Sequence, residues 1–227
     1  MRAGGATRTP DEYAGTTRPD GRVERGNRTR QLILRRTVDI ASVEGLEALT
    51  VGRLATELQL SKSGVFALFG SKQELQLATV REAARIYTEK VIGPAAEVPV
   101  GVGRLWRLCE LWLEYSRGRV FPGGCFFYGV IAEFDARSGP VHDAMVDAQR
   151  AWTALVERTA AEARDSGELR ADTDIPQLAF EIVALMETSN AFSVLHDEET
   201  VYRRARVGIA ARLRCAATNP STAPQVP

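Results

Sequence analysis

The chain has 227 residues, with 29 Lys/Arg against 29 Asp/Glu and a formal net charge of zero. That length suits one or two domains, and the balance excludes a uniformly basic nucleic-acid binder. Cys109, Cys125 and Cys215 form no disulfide framework, and neither Cys-x2-Cys nor clustered His suggests zinc. No run of about 18 apolar residues and no signal-peptide core is seen, so a reducing cytoplasm is expected, with no membrane, metal or cofactor.

Residues 1–26 are rich in Gly, Thr, Arg and Pro and lack apolar periodicity, so they are expected to form a disordered arm, with Arg18, Arg22 and Arg25 as possible DNA contacts. A first helix is expected over 28–45, with Ile33, Thr37, Ile40 and Ala41 on a wide inward face and Gly45 as its stop. Thr50 then caps a short helix in which Val51, Leu54, Ala55 and Leu58 share one apolar face. Ser61 caps a second, with Val65, Leu68 and Phe69 in the same spacing. Neither helix can bury its stripe alone. Packed on each other and on the first helix, they form a helix-turn-helix, which places its second helix in a DNA major groove.

Ser71-Lys72-Gln73-Glu74 is a capping box that opens a long helix, expected to end near Ile92 because Gly93-Pro94 follows. Residues 101–118 are apolar almost all round and predict a central buried helix. Further helices are expected over about 125–137, 141–166 and 174–195, and after Asp197; Gly167 closes the second of these, and Asp174 with Pro176 opens the third. No strand pattern stands out. The fold class is therefore all-α, about nine helices: an N-terminal three-helix unit over 27–72, a C-terminal helical domain over 73–217 and a loose tail over 218–227.

Residues 50–75 resemble the TetR family of bacterial regulators. Thr50, Leu54 and Ala55, then Leu60, Ser61, Lys62, Val65, Phe66 and Phe69, then Ser71, Lys72 and Leu75 fit its motif, and the likeness runs from Arg28 to Leu75. Two positions depart from it. Gln59 stands where the family usually has Gly, and Phe66 where it usually has Tyr, so a phosphate-reaching hydroxyl is missing. The resemblance implies a DNA-binding head joined to a variable helical domain that binds a ligand and dimerises.

Charge supports that division. Residues 28–72 carry seven Lys/Arg and four acids, a net of +3, whereas 73–227 carry 17 basic and 21 acidic residues, a net of −4. With Val65, Leu68 and Phe69 turned inward, Lys62, Ser63, Gly64, Phe66 and Ala67 are left to face DNA. Lys62 can reach a guanine edge or a phosphate, and Ala67 a thymine methyl. Thr50, Ser61 and Lys72 stand at helix N-termini, which favour phosphate. Arg53, with Arg28 and Arg30, is expected on the backbone. So small a reading surface needs two half-sites of a double-stranded operator, and hence a homodimer. Helices 141–166 and 174–195 are expected to form it.

Trp106, Cys109, Trp112, Cys125, Phe126, Phe127, Tyr128, Phe134, Met186 and Phe192 are candidates to line a pocket for a small, largely apolar effector, with Glu110, Glu114, Glu133 and Tyr128 as polar partners. Cys125 opens a helix, where the dipole lowers a thiol pKa, so a redox sensor or a cysteine-dependent enzyme is an alternative. His142 and His196 have no motif-spaced partner for catalysis. The expected function is a ligand-responsive transcriptional regulator, a repressor, with activation or ligand-independent regulation as the alternative.

Overall fold

In the computed structural model, residues 21–224 are described; the arm expected over 1–26, up to position 20, lies outside them. The described chain is helical. It runs α1 (Gly21–Glu44), a 3-10 turn (Leu46–Ala48), α2 (Val51–Glu57), α3 (Lys62–Phe69) and α4 (Lys72–Tyr87). A π turn (Thr88–Ile92), α5 (Gly93–Ala96), α6 (Val102–Arg117), α7 (Phe126–Phe134), α8 (Pro140–Asp165), α9 (Ile175–His196) and α10 (Thr200–Ala216) follow. Counting α4, the π turn and α5 as one rod, the described residues form nine helices. The only bridge among them is an isolated antiparallel one between Leu169 and Ala217.

The caps act as read. Thr50, Ser61, Ser71 and Asp174 accept hydrogen bonds from the N–H of Arg53, Gly64, Glu74 and Gln177. Gln59 adopts φ 55°, the left-handed value its turn position demands, and Leu60 N–H closes that turn on Ala55 O at 2.9 Å. Gly45, at φ 82°, ends α1. A Cβ there would also sit 2.5 Å from a Glu133 carboxylate oxygen, so glycine is needed twice over.

Three boundaries differ from expectation. α1 starts at Gly21 rather than Arg28. Gly93-Pro94 does not stop the long helix: Gly93 N–H bonds Thr88 O, five residues back. This wider turn opens the hydrogen-bond ladder where Pro94 has no N–H to give, and the helix continues to Ala96. The start of the tail is pinned rather than loose, since Thr218 N–H donates to Glu168 O at 2.9 Å.

The head packs α1 to α4 around Ile33, Leu46, Leu49, Leu54, Val65 and Leu75, all fully buried. α6 runs through the middle of the body, burying Leu105, Leu108, Leu111, Trp112 and Leu113 against α5, α8, α9 and α10. α9 is long and apolar enough to cross a membrane by length and composition. Its apolar residues have two other destinations. Leu178, Ile182 and Met186 enter the core, while Phe180, Phe192, Val194 and Leu195 stand in solvent, Leu195 at 74% exposure. α10 adds exposed Val207, whereas α8 exposes no large apolar side chain. The expectation that 141–166 supplies half of a dimer face is thus corrected: Met145, Val156 and Ala160 of α8 are buried, and its stripe faces the body's own interior.

Candidate functional site

α3 offers a narrow, solvent-facing surface. Val65 and Phe69 are buried, which leaves Lys62, Ser63, Gly64, Phe66 and Ala67 exposed. Ser61 Oγ is occupied by its cap bond to Gly64 N–H, and Ser63 Oγ approaches it at 3.4 Å. Among the described residues no carboxylate pairs with Lys62. Its charge and length are therefore free to reach a base edge or a phosphate. Phe66, 56% exposed, presents an apolar ring.

Arg53, Lys72 and Arg30, expected on the DNA backbone, are engaged by the protein itself. Arg53 donates to both Glu44 oxygens at 2.7 and 2.6 Å and to Glu57 at 2.7 Å, while Glu57 also accepts from Arg36 at 2.7 Å. Hydrogen bonds from Arg53 hold both carboxyls below their ordinary range, so the chain of four charges stays ionised and ties α1 to α2. Lys72 Nζ donates to Glu47 Oε2 at 2.7 Å and to Glu47 O at 2.9 Å. Arg30 lies over the Phe69 ring at 4.6 Å and reaches Leu68 O, and Arg28 is exposed.

The body holds a cavity of about 200 Å³. α4 contributes Ala84 and Tyr87, the π turn Thr88 and Ile92, α6 Trp112, α8 Ala148, Gln149, Ala151 and Trp152, and α9 Glu187. Cys125, Phe127 and Tyr128 close it from the start of α7. The Tyr87 ring stands edge-on to Phe127 (5.8 Å, 80°) and to Trp152 (5.4 Å, 87°), so the aromatic walls meet at corners. Among the described residues, Glu187 is the one charged side chain on the wall. Burial pushes its carboxyl above the ordinary range, partly offset by a hydrogen bond from Gln149.

The sequences of this head and of the body that holds the cavity are matched by two family models. Residues 33–79 match bacterial regulatory proteins of the tetR family, and residues 101–209 match the tetracyclin repressor-like C-terminal domain. Together they take in more than half of the chain. The chain belongs to the TetR family of transcriptional regulators. Among solved structures it is similar to a TetR regulator from Chloroflexus aurantiacus J-10-FL, with a TM-score of 0.79 and 20% identity over 86% of this chain and 98% of that one. It is similar, too, to a transcriptional regulator from Saccharomonospora viridis in complex with choline (TM-score 0.69, 20% identity, 81% and 94% of the two chains). AibR in complex with isovaleryl coenzyme A and operator DNA is a third (TM-score 0.63, 14% identity, 79% and 95%). No curated protein matches the chain.

In this TetR regulator, four of the expected pocket residues lie on the cavity wall: Trp112, Cys125, Phe127 and Tyr128. The other six lie elsewhere. Cys109, Phe126, Phe134 and Met186 are buried in the core. Trp106 packs beneath Arg206, and Phe192 is half-exposed against His196. Of the expected polar partners only Tyr128 reaches the cavity. Glu110 pairs with Arg206 at 2.5 Å, Glu114 with Arg107 at 3.7 Å, and Glu133 turns to the head. Tyr87, Gln149, Trp152 and Glu187 were missed. Glu187 did leave a signal, as the acid that directly follows the apolar run 182–186. The reactive-thiol expectation for Cys125 is corrected: burial pushes the thiol up to about 11, and the N–H groups of Tyr128 and Phe127 offset this only partly.

Head and body of the regulator are joined through α7 as well as α4. Glu133 near the end of α7 accepts from Leu46 N–H at 2.7 Å and Glu47 N–H at 2.9 Å, capping the 3-10 turn that leads to α2. Gly123, just before α7, donates to Ser42 Oγ at 3.1 Å, and a Cβ there would lie 1.7 Å from Ser42 O. The cavity end of α7 is fixed in turn by Asn190, whose Oδ1 accepts from Cys125 N–H and Ser116 Oγ, each at 2.8 Å.

Proposed function

We propose that this TetR regulator is a repressor that a small, largely apolar effector releases from its operator. Two copies read two half-sites, set about 34 Å or a multiple apart, through Lys62, Ser63, Gly64 and Ala67 of each α3. The exposed apolar side chains of α9 and α10 make the dimer face, a four-helix packing of two helices from each copy. The working units are the head over 27–72 and the body over 73–217, and the protein acts in the cytoplasm, on DNA.

The observation that carries this reading is where the cavity sits. Its wall includes both routes to the head: the α4–π segment at Tyr87, Thr88 and Ile92, and the start of α7 at Phe127 and Tyr128. α4 spans about 22 Å from Lys72 to Tyr87 at 1.5 Å per residue. A small tilt at the cavity therefore becomes a displacement of α3. The π turn is the compliant point of that rod. An effector that binds the tilted state better shifts the population toward it, by no more than its differential affinity for the two states.

Operator affinity measured with and without compounds that bind the cavity tests this. A fall in affinity supports repression with induction. A rise marks the activator or corepressed alternative, and affinity unchanged by every bound compound sinks the ligand-responsive reading.

A further inference from the structure

We propose that the cavity selects an organic cation: an ammonium or comparable charged group on an apolar body, held by the rings of Tyr87, Phe127 and Trp152 and by the Glu187 carboxylate. This rests on the cavity being the effector site and goes beyond it by fixing the sign of the effector's charge.

The wall chemistry is one-sided. Five aromatic side chains, the three named and Trp112 and Tyr128, share the wall with one carboxylate, and no Lys, Arg or His among the described residues lines the space. Aromatic faces carry negative charge density and attract cations, most strongly where water is excluded. Tyr87 stands nearly perpendicular to both Phe127 and Trp152, so the rings wall the cavity on different sides, as a compact charge needs. Glu187 makes no ion pair among the described residues, and Gln149 is its neutral hydrogen-bonding partner on the wall. A carboxylate held among rings costs free energy that only a positive partner offsets fully.

The alternatives fit less well. A carboxylate or phosphate ligand would meet Glu187 with no cation on the wall to compensate. A neutral hydrocarbon would fill the volume and displace water, leaving Glu187 poorer in solvent and still unpaired. A cation answers both features of the wall at once. Its apolar body accounts for the small side chains Ala84, Ala148 and Ala151, which leave the space open.

Three probes of similar shape separate these cases: phenyltrimethylammonium, its neutral isostere tert-butylbenzene, and benzenesulfonate. Binding to the full chain is measured by titration calorimetry and by quenching of tryptophan fluorescence. The cation should bind at least about tenfold tighter than tert-butylbenzene, with benzenesulfonate weaker than both. Glu187→Gln should remove the cation's advantage while tert-butylbenzene binds at least as tightly as to the parent, since the desolvated charge is gone, which also shows that the cavity is intact. Trp152→Leu should weaken the cation more than the hydrocarbon. Equal affinity for cation and hydrocarbon, or a Glu187→Gln variant that keeps the tenfold preference, overturns the cation class and leaves an apolar effector cavity standing. Binding of none of the three overturns the effector-site reading together with this one.

Discussion

The head and the body of this regulator handle charge in opposite ways. In the head, charge is abundant and mostly spent: Arg36, Glu57, Arg53 and Glu44 form one chain, Lys72 closes on Glu47, and Lys62 alone on α3 is left without an ion pair among the described residues. In the body's cavity charge is scarce, and the single carboxylate is left unpaired. The first arrangement stiffens a surface whose partner, DNA, always carries the same charge. The second leaves one group waiting for a ligand. Exposed pairs such as Arg53–Glu44 add little to stability, because solvent screens them. Their larger effect is to withdraw cations from the phosphate-facing surface, so that specificity depends on a few α3 side chains and on dimer spacing.

The first way to break this comparison is to separate head from body. Gly123→Ala puts a Cβ 1.7 Å from Ser42 O, a backbone atom that cannot step aside. We expect a loss of about 3 kcal/mol or more, read as a large fall in denaturant midpoint. A variant with unchanged stability would mean that the 120–125 loop does not press on α1.

Next in size is the reading surface itself. Lys62→Ala with Ser63→Ala should weaken operator binding by about 2–3 kcal/mol in an electrophoretic or anisotropy assay. The melting temperature should hold, because both side chains are exposed. An enzyme's turnover would be indifferent to the same change.

Glu133→Ala probes the α7 link. It strips the acceptor from two backbone N–H groups and should cost about 1–3 kcal/mol in thermal unfolding. It should also reduce the effector's influence on operator affinity, measured as the ratio of affinities with and without ligand. An undiminished ratio would assign the coupling to α4 alone.

The smallest effect sharpens the cavity side. Burial raises the Glu187 carboxyl above its unfolded value, so the native state binds its proton more tightly than the unfolded state does. Its contribution is therefore most favourable at pH below the ordinary carboxylate range, and it is lost as pH rises through the raised value. Glu187→Gln should melt slightly higher than the parent at pH 7, and the gap should close as pH is lowered toward 4. A gap independent of pH would show that Glu187 is solvated like any surface acid.

Legibility in the sequence follows the same division. Every α3 residue expected to face solvent does so, because a short capped helix exposes whatever its i, i+3, i+4 stripe leaves over. The cavity was read poorly. Trp106, Phe134 and Phe192 have the right chemistry, yet the helices turn them elsewhere. Trp152 lies in helix 141–166, expected at a dimer face, and Tyr87 in the long helix that ends near the π turn, yet both line the cavity. Apolar periodicity says that a face is buried. It does not say whether that face meets a neighbouring helix or an empty space.

By itself, then, the sequence determined the helices, their caps, the left-handed turn at Gln59 and the class of the head, because each depends on residues within four or five positions of one another. Tertiary structure alone decided the rest. It paired Arg53 with Glu44 and Lys72 with Glu47, carried the α4 rod through Pro94, turned α8 inward and left α9 and α10 apolar in solvent. It also gathered Tyr87, Trp112, Phe127, Trp152 and Glu187 around one space. Those five come from five helical segments, and a concave site exists only once the packing of all of them is set.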